Sequence, residues 1–216
     1  MSAAALVDAL RESQARGFLG PGPVESHLDH SERLAGLIDP VPSRFLDLGS
    51  GGGVPGLVLA QQWATSQGVL VDANQRRCEW LEEAIARLGW SPRVSVRCGR
   101  AEDLARVADL REAFPLVVAR AFGPPPATAE CAVAFLASGG TLAVSEPPVD
   151  APAGLDRWPE DGLASLGLGP AQVVRDDRVG VVLIQRTGEL SARWPRRVGV
   201  PTKRPMWKPV GTSSTS

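Results

Sequence analysis

The sequence predicts an α/β fold of the doubly wound, Rossmann-like kind, with a mostly parallel seven-stranded sheet that ends in an antiparallel hairpin. Three observations predict it. Short apolar strand-like runs alternate with helical runs between residues 44 and 144, the pattern of parallel strands joined by crossover helices. The first strand runs into a loop with five glycines among residues 49–56, and then into an apolar helical run. Near the end, two β-rich runs flank Asp176-Asp177-Arg178 and form a hairpin instead of a further crossover.

The elements follow in order. Residues 4–16 form a short amphipathic helix with Leu6, Val7 and Leu10 on one side, and Gly17 to Pro23 break it. Residues 27–38 form a second helix that stops before Pro40. Strand 44–48 leads to helix 55–64, strand 69–72 to helix 75–88, and strand 94–98 to helix 102–108. Strand 116–119 leads to helix 127–137, and a Gly139-Gly140 turn leads to strand 141–144. In helix 75–88, Trp80, Leu81, Ala84, Ile85 and Leu88 recur at helical spacing, so they are expected in the core. Residues 147–159 are a Pro/Ala-rich connection, and strands 172–175 and 179–184 make the hairpin. The expected organisation is an N-terminal helical segment (1–40), a cofactor-binding domain (41–190) and a basic tail (191–216).

Composition narrows the class. A chain of 216 residues with 44% hydrophobic and 22% charged residues has enough apolar material for one packed domain with appendages. No apolar run approaches the length of a membrane span, and the first residues lack the basic and apolar stretches of a secretion signal. A cytoplasmic protein without a membrane partner is expected. Cys78, Cys98 and Cys131 lack C-x-x-C spacing and are expected to be reduced thiols. His27 and His30 have no third ligand cluster beside them, so no metal is expected. The net charge of −1 hides an uneven distribution. Residues 191–216 carry six basic residues and no acid, whereas the rest of the chain has a net charge of −7. A basic tail on an acidic body suits a polyanionic partner; a solvated terminus is the bland alternative.

The loop Asp47-Leu48-Gly49-Ser50-Gly51-Gly52-Gly53-Val54-Pro55-Gly56 is the strongest single signal. Glycines there let the chain turn sharply and lay bare main chain against a ligand. A helix starting at Pro55 would aim free N–H groups at that ligand. Two cofactors compete. Gly51-x-Gly53-x-x-Gly56 fits a dinucleotide fingerprint, and Asp47-x-Gly49-x-Gly51 fits the S-adenosylmethionine (SAM) loop of class I methyltransferases. Asp47 favours SAM, because a carboxylate there would repel a pyrophosphate and attract an ammonium and a sulfonium. The terminal hairpin favours SAM independently, since a nicotinamide-binding domain would continue with a sixth parallel strand.

Ligands of such sheets bind beyond the carboxyl ends of the strands. Asp47 is therefore expected to bond the cofactor amine and Asp72 the ribose. Glu102, with the backbone of Ala101, is expected beside the adenine, although an acid in a helix's first turn also has a purely structural reading. Arg120, at the end of the fourth strand, is placed to grip a methionine carboxylate or a substrate phosphate. The chemistry is narrowed by what is missing. Arg120-Ala121-Phe122-Gly123 replaces the Asn/Asp-Pro-Pro-aromatic run of adenine amino-methylation. Cytosine C5 methylation needs a nucleophilic Cys, and Cys131 lies mid-helix. No general base is evident, which suits an acceptor that already carries a lone pair, such as guanine N7.

At this point the loop resembles a family motif. Asp47 to Gly56 is similar to the Asp-Val-Gly-[Ser/Thr]-Gly-x-Gly-[Leu/Phe]-Pro-Gly run of the RsmG (GidB) family of 16S rRNA guanine-N7 methyltransferases, and Pro55 gives the match its specificity. His27-Leu28-Asp29-His30-Ser31, Asp72 to Arg77, Gly99 to Glu102 and Ala119-Arg120-Ala121 resemble further family motifs in order. Arg196 to Pro205 resembles the family's Arg-x-x-Gly-x-Pro-x-Lys-x-Pro tail. The resemblance implies a class I methyltransferase fold, SAM as cofactor and S-adenosyl-L-homocysteine (SAH) as product, with cofactor contacts at Gly49, Val54, Ala101, Glu102 and Arg120. Asp47, Gly51, Gly53 and Asp72 complete the expected cofactor set. Arg120, Arg196, Arg197 and Lys203 are expected to face RNA, in 16S rRNA or the small ribosomal subunit, with the protein acting as a monomer. The tail is expected to lie extended and to be dispensable for cofactor binding. Two departures stand out. Ser145-Glu146-Pro147 replaces a Lys-Gly pair, which is expected to weaken phosphate binding, and the family's N-terminal Trp-Asn region is missing or altered. A divergent methyltransferase with another acceptor, or a SAM- or RNA-binding protein without turnover, is the alternative reading.

Overall fold

The computed structural model describes residues 3–146 and 155–208. Seven strands form one sheet in the order β3-β2-β1-β4-β5-β7-β6. β1 (Arg44–Leu48), β2 (Gln67–Asp72), β3 (Val94–Cys98), β4 (Phe114–Ala119) and β5 (Leu136–Ser145) pair in parallel. β6 (Leu168–Arg175) and β7 (Gly180–Arg186) form the expected hairpin, and β7 pairs antiparallel with β5. The chain reverses its direction of travel across the sheet between β1 and β4, so the carboxyl ends of these two strands mark the switch point.

Alternate residues of each strand feed opposite faces of the sheet. Phe45 and Leu70 join one apolar cluster, with side chains of α1 (Ala3–Ala15), α2 (Val24–Gly36), α3 (Gly56–Gln62) and α4 (Gln75–Arg87). Leu46, Val69 and Val71 join the other, with α5 (Ala101–Leu104), α6 (Pro125–Val133), α7 (Glu160–Ala164) and Trp194 of the tail. Trp80, Leu81, Ala84 and Ile85 are buried, as their spacing predicts. The N-terminal helices share a core with the sheet, and Ser13 donates a hydrogen bond to the Gly52 carbonyl of the glycine loop (2.9 Å).

Several boundaries differ from the sequence reading. α2 starts at Val24, directly after Pro23, because Val24 is buried and anchors the first turn. The helix after the loop starts one residue later than Pro55, since residues 51–55 are spent on turns. Gly139 and Gly140 lie inside β5 at a register shift, not in a turn before it. A Cβ on Gly140 would stand 2.8 Å from the Phe114 carbonyl, so only glycine permits that approach. Of the 147–159 connection, residues 147–154 lie outside the described part. A 3₁₀ turn at Leu155–Arg157 and helix α7 follow them and cover the apolar face of β6. The tail is not extended throughout: it folds onto the body and includes a short helix, α8 (Val200–Lys203).

Candidate active site

Three cavities share walls at the carboxyl ends of the strands. The first, of about 620 Å³, is lined by Gly49, Asp72, Gly99, Ala101, Glu102, Phe122, Cys131 and Thr202, among others. The second, of about 670 Å³, lies over the glycine loop, with Gly49, Gly51, Val54, Phe18, His27 and Arg120 in its wall. The third, of about 760 Å³, is bounded by His30, Arg120, Phe122, Ser145, Glu146, Arg157 and Trp158. Gly49 and Ala121 link neighbouring cavities, and Phe122 separates the first from the third.

The expected site residues divide by position. Gly49, Gly51, Val54, Asp72, Ala101, Glu102 and Arg120 line cavities. Asp47 and Gly53 do not. Asp47 is fully buried beneath the loop, where its Oδ2 accepts the Gly56 N–H at 3.0 Å. The first N–H of α3 is thereby spent on Asp47 and is not offered to a ligand. Gly53 faces the core, where a Cβ would come within 2.6 Å of Leu57 Cδ1. Asp72 shapes the loop as well as the cavity: its Oδ2 accepts from Gly51 N and its Oδ1 from Asn74 N, each at 2.8 Å. Each oxygen keeps a second lone pair, and the Arg77 guanidinium stands 3.8 Å from Oδ2. Glu102 is buried and accepts the Gly199 N–H at 2.8 Å, so the tail reaches the Glu102 end of the first cavity. Arg120 has one nitrogen near His27 Nδ1 (3.1 Å), while its Nη1 is buried without a partner among the described residues.

These features fit SAM. Gly51 presents open main chain in the second cavity, with no described atom nearer than 3.8 Å to where a Cβ would stand. The unpartnered Arg120 Nη1 is a donor in need of an acceptor such as a carboxylate. Burial pushes the Asp47 carboxyl up to about 7, against the pull of Ser50, the Gly56 N–H and Arg120. Below that pH the folded chain keeps a proton that the unfolded chain releases near pH 4. The stability from this group is therefore complete below about pH 4 and is lost as pH rises through 7. Asp47→Asn is expected to match wild-type stability near pH 3 and to exceed it by on the order of 4 kcal/mol at pH 8. A pH-independent difference between their melting curves would show that Asp47 does not titrate in this window.

The tail residues are placed differently from the expectation. Arg196 does not project toward solvent as a free phosphate ligand. It grips the fully buried carboxylate of Glu130 through Nε (2.9 and 3.1 Å), Nη2 (2.5 Å) and its own backbone N–H (2.9 Å). Arg197 and Lys203 remain exposed. Glu146, expected to repel phosphate, is buried. It accepts from Arg157 Nη1 at 2.9 Å and Trp158 Nε1 at 3.2 Å, so its charge is compensated inside the protein.

Sequence reasoning missed His27, His30, Arg157, Trp158 and Thr202 as wall residues. The two histidines had a signal in their i, i+3 spacing, which puts both on one face of α2. His30 Nε2 lies 2.8 Å from Ser145 Oγ, and burial with nearby Arg120 holds its pKa down to about 4. Among the described residues no group of three or more His, Cys, Asp and Glu side chains is arranged to hold a metal, and no helix is long and apolar enough to cross a membrane.

A seven-stranded sheet of this order, with a glycine loop at the switch point and an acid ending β2, defines a class I SAM-dependent methyltransferase. The fold is shared with an O-methyltransferase from Bacillus cereus solved in complex with SAH (TM-score 0.59, 16% identity, 87% of this chain and 92% of that one). Residues 23–145 match the family model of GidB, rRNA small subunit methyltransferase G. The chain is 35% identical over 198 residues to ribosomal RNA small subunit methyltransferase G of Acidothermus cellulolyticus, covering 86% of this chain and 82% of the relative. It is 32% identical over 216 residues to that of Rubrobacter xylanophilus, covering 94% and 81%. The chain belongs to the rRNA small subunit methyltransferase G (GidB, RsmG) family.

Proposed function

We propose that this methyltransferase transfers the SAM methyl group to N7 of a guanine in 16S rRNA. The observation that carries the acceptor chemistry is that, among the described residues, the third cavity has no strong free base. His30 is held neutral and its Nε2 is spent on Ser145, while Glu146 is spent on Arg157 and Trp158. Guanine N7 needs no base, because its lone pair is already available for in-line attack. Membership in the family supports rRNA as the acceptor. Bound SAM supplies an electrophilic methyl on a sulfonium. The chain's part is to align and to exclude water. Gly49, Gly51 and Asp72 form the cradle on the cofactor side, and Arg120 lies between the loop and the acceptor cavity.

Phe122 is the aromatic platform in this reading. It is half-buried between the first and third cavities, and a Cβ on Gly49 would stand 2.6 Å from its ring. Ala121 before it has φ +54, a strained value for a side-chain-bearing residue that fixes the direction of the ring. Within the same reading Arg197 and Lys203 contact RNA phosphates, the N-terminal helices and the tail are covers laid on one cofactor-binding body, and the protein works as a cytoplasmic monomer.

The test is mass spectrometry of 16S rRNA from a strain without the gene. One 7-methylguanosine is expected to be missing and to return with the wild-type gene. Purified Phe122→Ala is expected to lose methyl transfer about 10- to 100-fold, the worth of stacking one base, with a smaller loss of SAH affinity. An unchanged 7-methylguanosine content in the deletion strain would overturn the acceptor.

A further inference from the structure

We propose that the tail segment 194–204 is part of the cofactor site: it closes the adenosine end of the first cavity, so strap docking and nucleoside binding are linked. The inference rests on the methyltransferase reading. The strap is fastened at two points, and both fastenings lie on elements that wall the cavity. Arg196 clamps Glu130 on α6, the helix that gives Ala127 and Cys131 to that wall. Gly199, with φ +77, directs its N–H to Glu102 on α5. Beyond the second fastening, the Arg204 carbonyl accepts from Arg196 Nη2 at 2.8 Å, which closes residues 196–204 into a loop around α8. Thr202 on that loop lines the cavity itself.

The chemistry of this end selects its occupant. The wall from Gly99 to Glu102 lies beyond the end of β3, next to Asp72 at the end of β2, and Cys131, Ala127 and Phe122 give it an apolar floor. An adenine ring with its ribose suits such a slot, flat and apolar with polar groups at one edge. Glu102 is buried, and among the described residues its carboxylate has the Gly199 N–H as its hydrogen-bond donor, with Arg100 Nε farther off at 3.7 Å. Without the strap, Glu102 would face water at the mouth of the cavity and the adenine would lose its outer cover. The basic tail thus has a role that its charge alone does not reveal, and it is not dispensable for cofactor binding.

The experiment uses the full chain and SAH. Glu130→Gln weakens the clamp from outside the cavity, and Gly199→Pro, which has no N–H for Glu102 and cannot adopt φ +77, unseats the strap at its second fastening. Calorimetry is expected to show SAH affinity ten-fold or more weaker in both. In the wild type, where no folding defect intervenes, adding SAH is expected to slow hydrogen exchange at the Gly199 and Thr202 amides. Wild-type protein that fails to bind SAH would defeat the methyltransferase reading. Wild-type protein that binds SAH without protecting these amides, with both variants binding equally well, would overturn the strap alone.

Discussion

Gly51→Val is expected to abolish SAM binding, by more than 100-fold, in a protein that still folds. Gly51 has φ +52, and its N–H is bonded to Asp72 Oδ2. A side chain there meets no protein atom closer than ordinary contact, the nearest being the Gly49 carbonyl at 3.8 Å. The protein therefore has room, and the added methyls occupy the cavity where the cofactor backs onto main chain. The left-handed backbone costs about 1–2 kcal/mol, a tolerable fraction of a domain's stability. Gly53→Val is the contrast. A Cβ at Gly53 would meet Leu57 at 2.6 Å and Trp80 at 3.3 Å, so that change strikes the core first. Calorimetry and thermal melts on the pair separate the two roles. A folded Gly51→Val protein with wild-type SAM affinity would refute the assignment of the loop.

Arg196→Ala is expected to lower stability by about 3 kcal/mol, because it strands a buried carboxylate. Glu130 has no exposed surface, and within the described residues its carboxylate oxygens accept from Arg196 alone. In a chain of this size the loss corresponds to a fall in Tm of roughly 6–12 °C. Arg197→Ala, at an exposed position in the same motif, should leave Tm nearly unchanged and should reduce the salt dependence of RNA binding. The double variant Glu130→Leu, Arg196→Met should recover most of the loss, since removing both members of a buried pair is often neutral. If Arg196→Ala melted like the wild type while losing RNA affinity, Arg196 would be an RNA ligand after all.

The parallel core was legible because its signals are local. β2 and β4 are short apolar runs, β1 carries Asp47 within its run, and β3 alternates apolar and polar residues. β1 and β3 have the predicted bounds. β5 was misread at its start because Gly139 and Gly140 resemble a turn until the close approach of Phe114 shows why they lie within a strand. The cavity walls were legible where a residue stands at a strand's end, as with Asp72 and Arg120. The site was not legible where the contact joins distant parts of the chain. Nothing near Glu130 in sequence announces Arg196, and nothing near Glu146 announces Arg157 and Trp158, since the intervening residues carry no periodic pattern.

The sequence by itself determined the sheet, the switch point, the glycine loop and the family, because all four are written in residues close together along the chain. Only the tertiary structure decided the direction in which each charged side chain points. Asp47 turned inward to hold the first N–H of α3, Glu102 turned to the tail, and Arg196 turned to Glu130. The physical reason is desolvation. A buried charge is costly, so Glu102 and Arg196 are turned to partners that lie far away in sequence, and Asp47, with one oxygen unpartnered among the described residues, is held toward its neutral form instead.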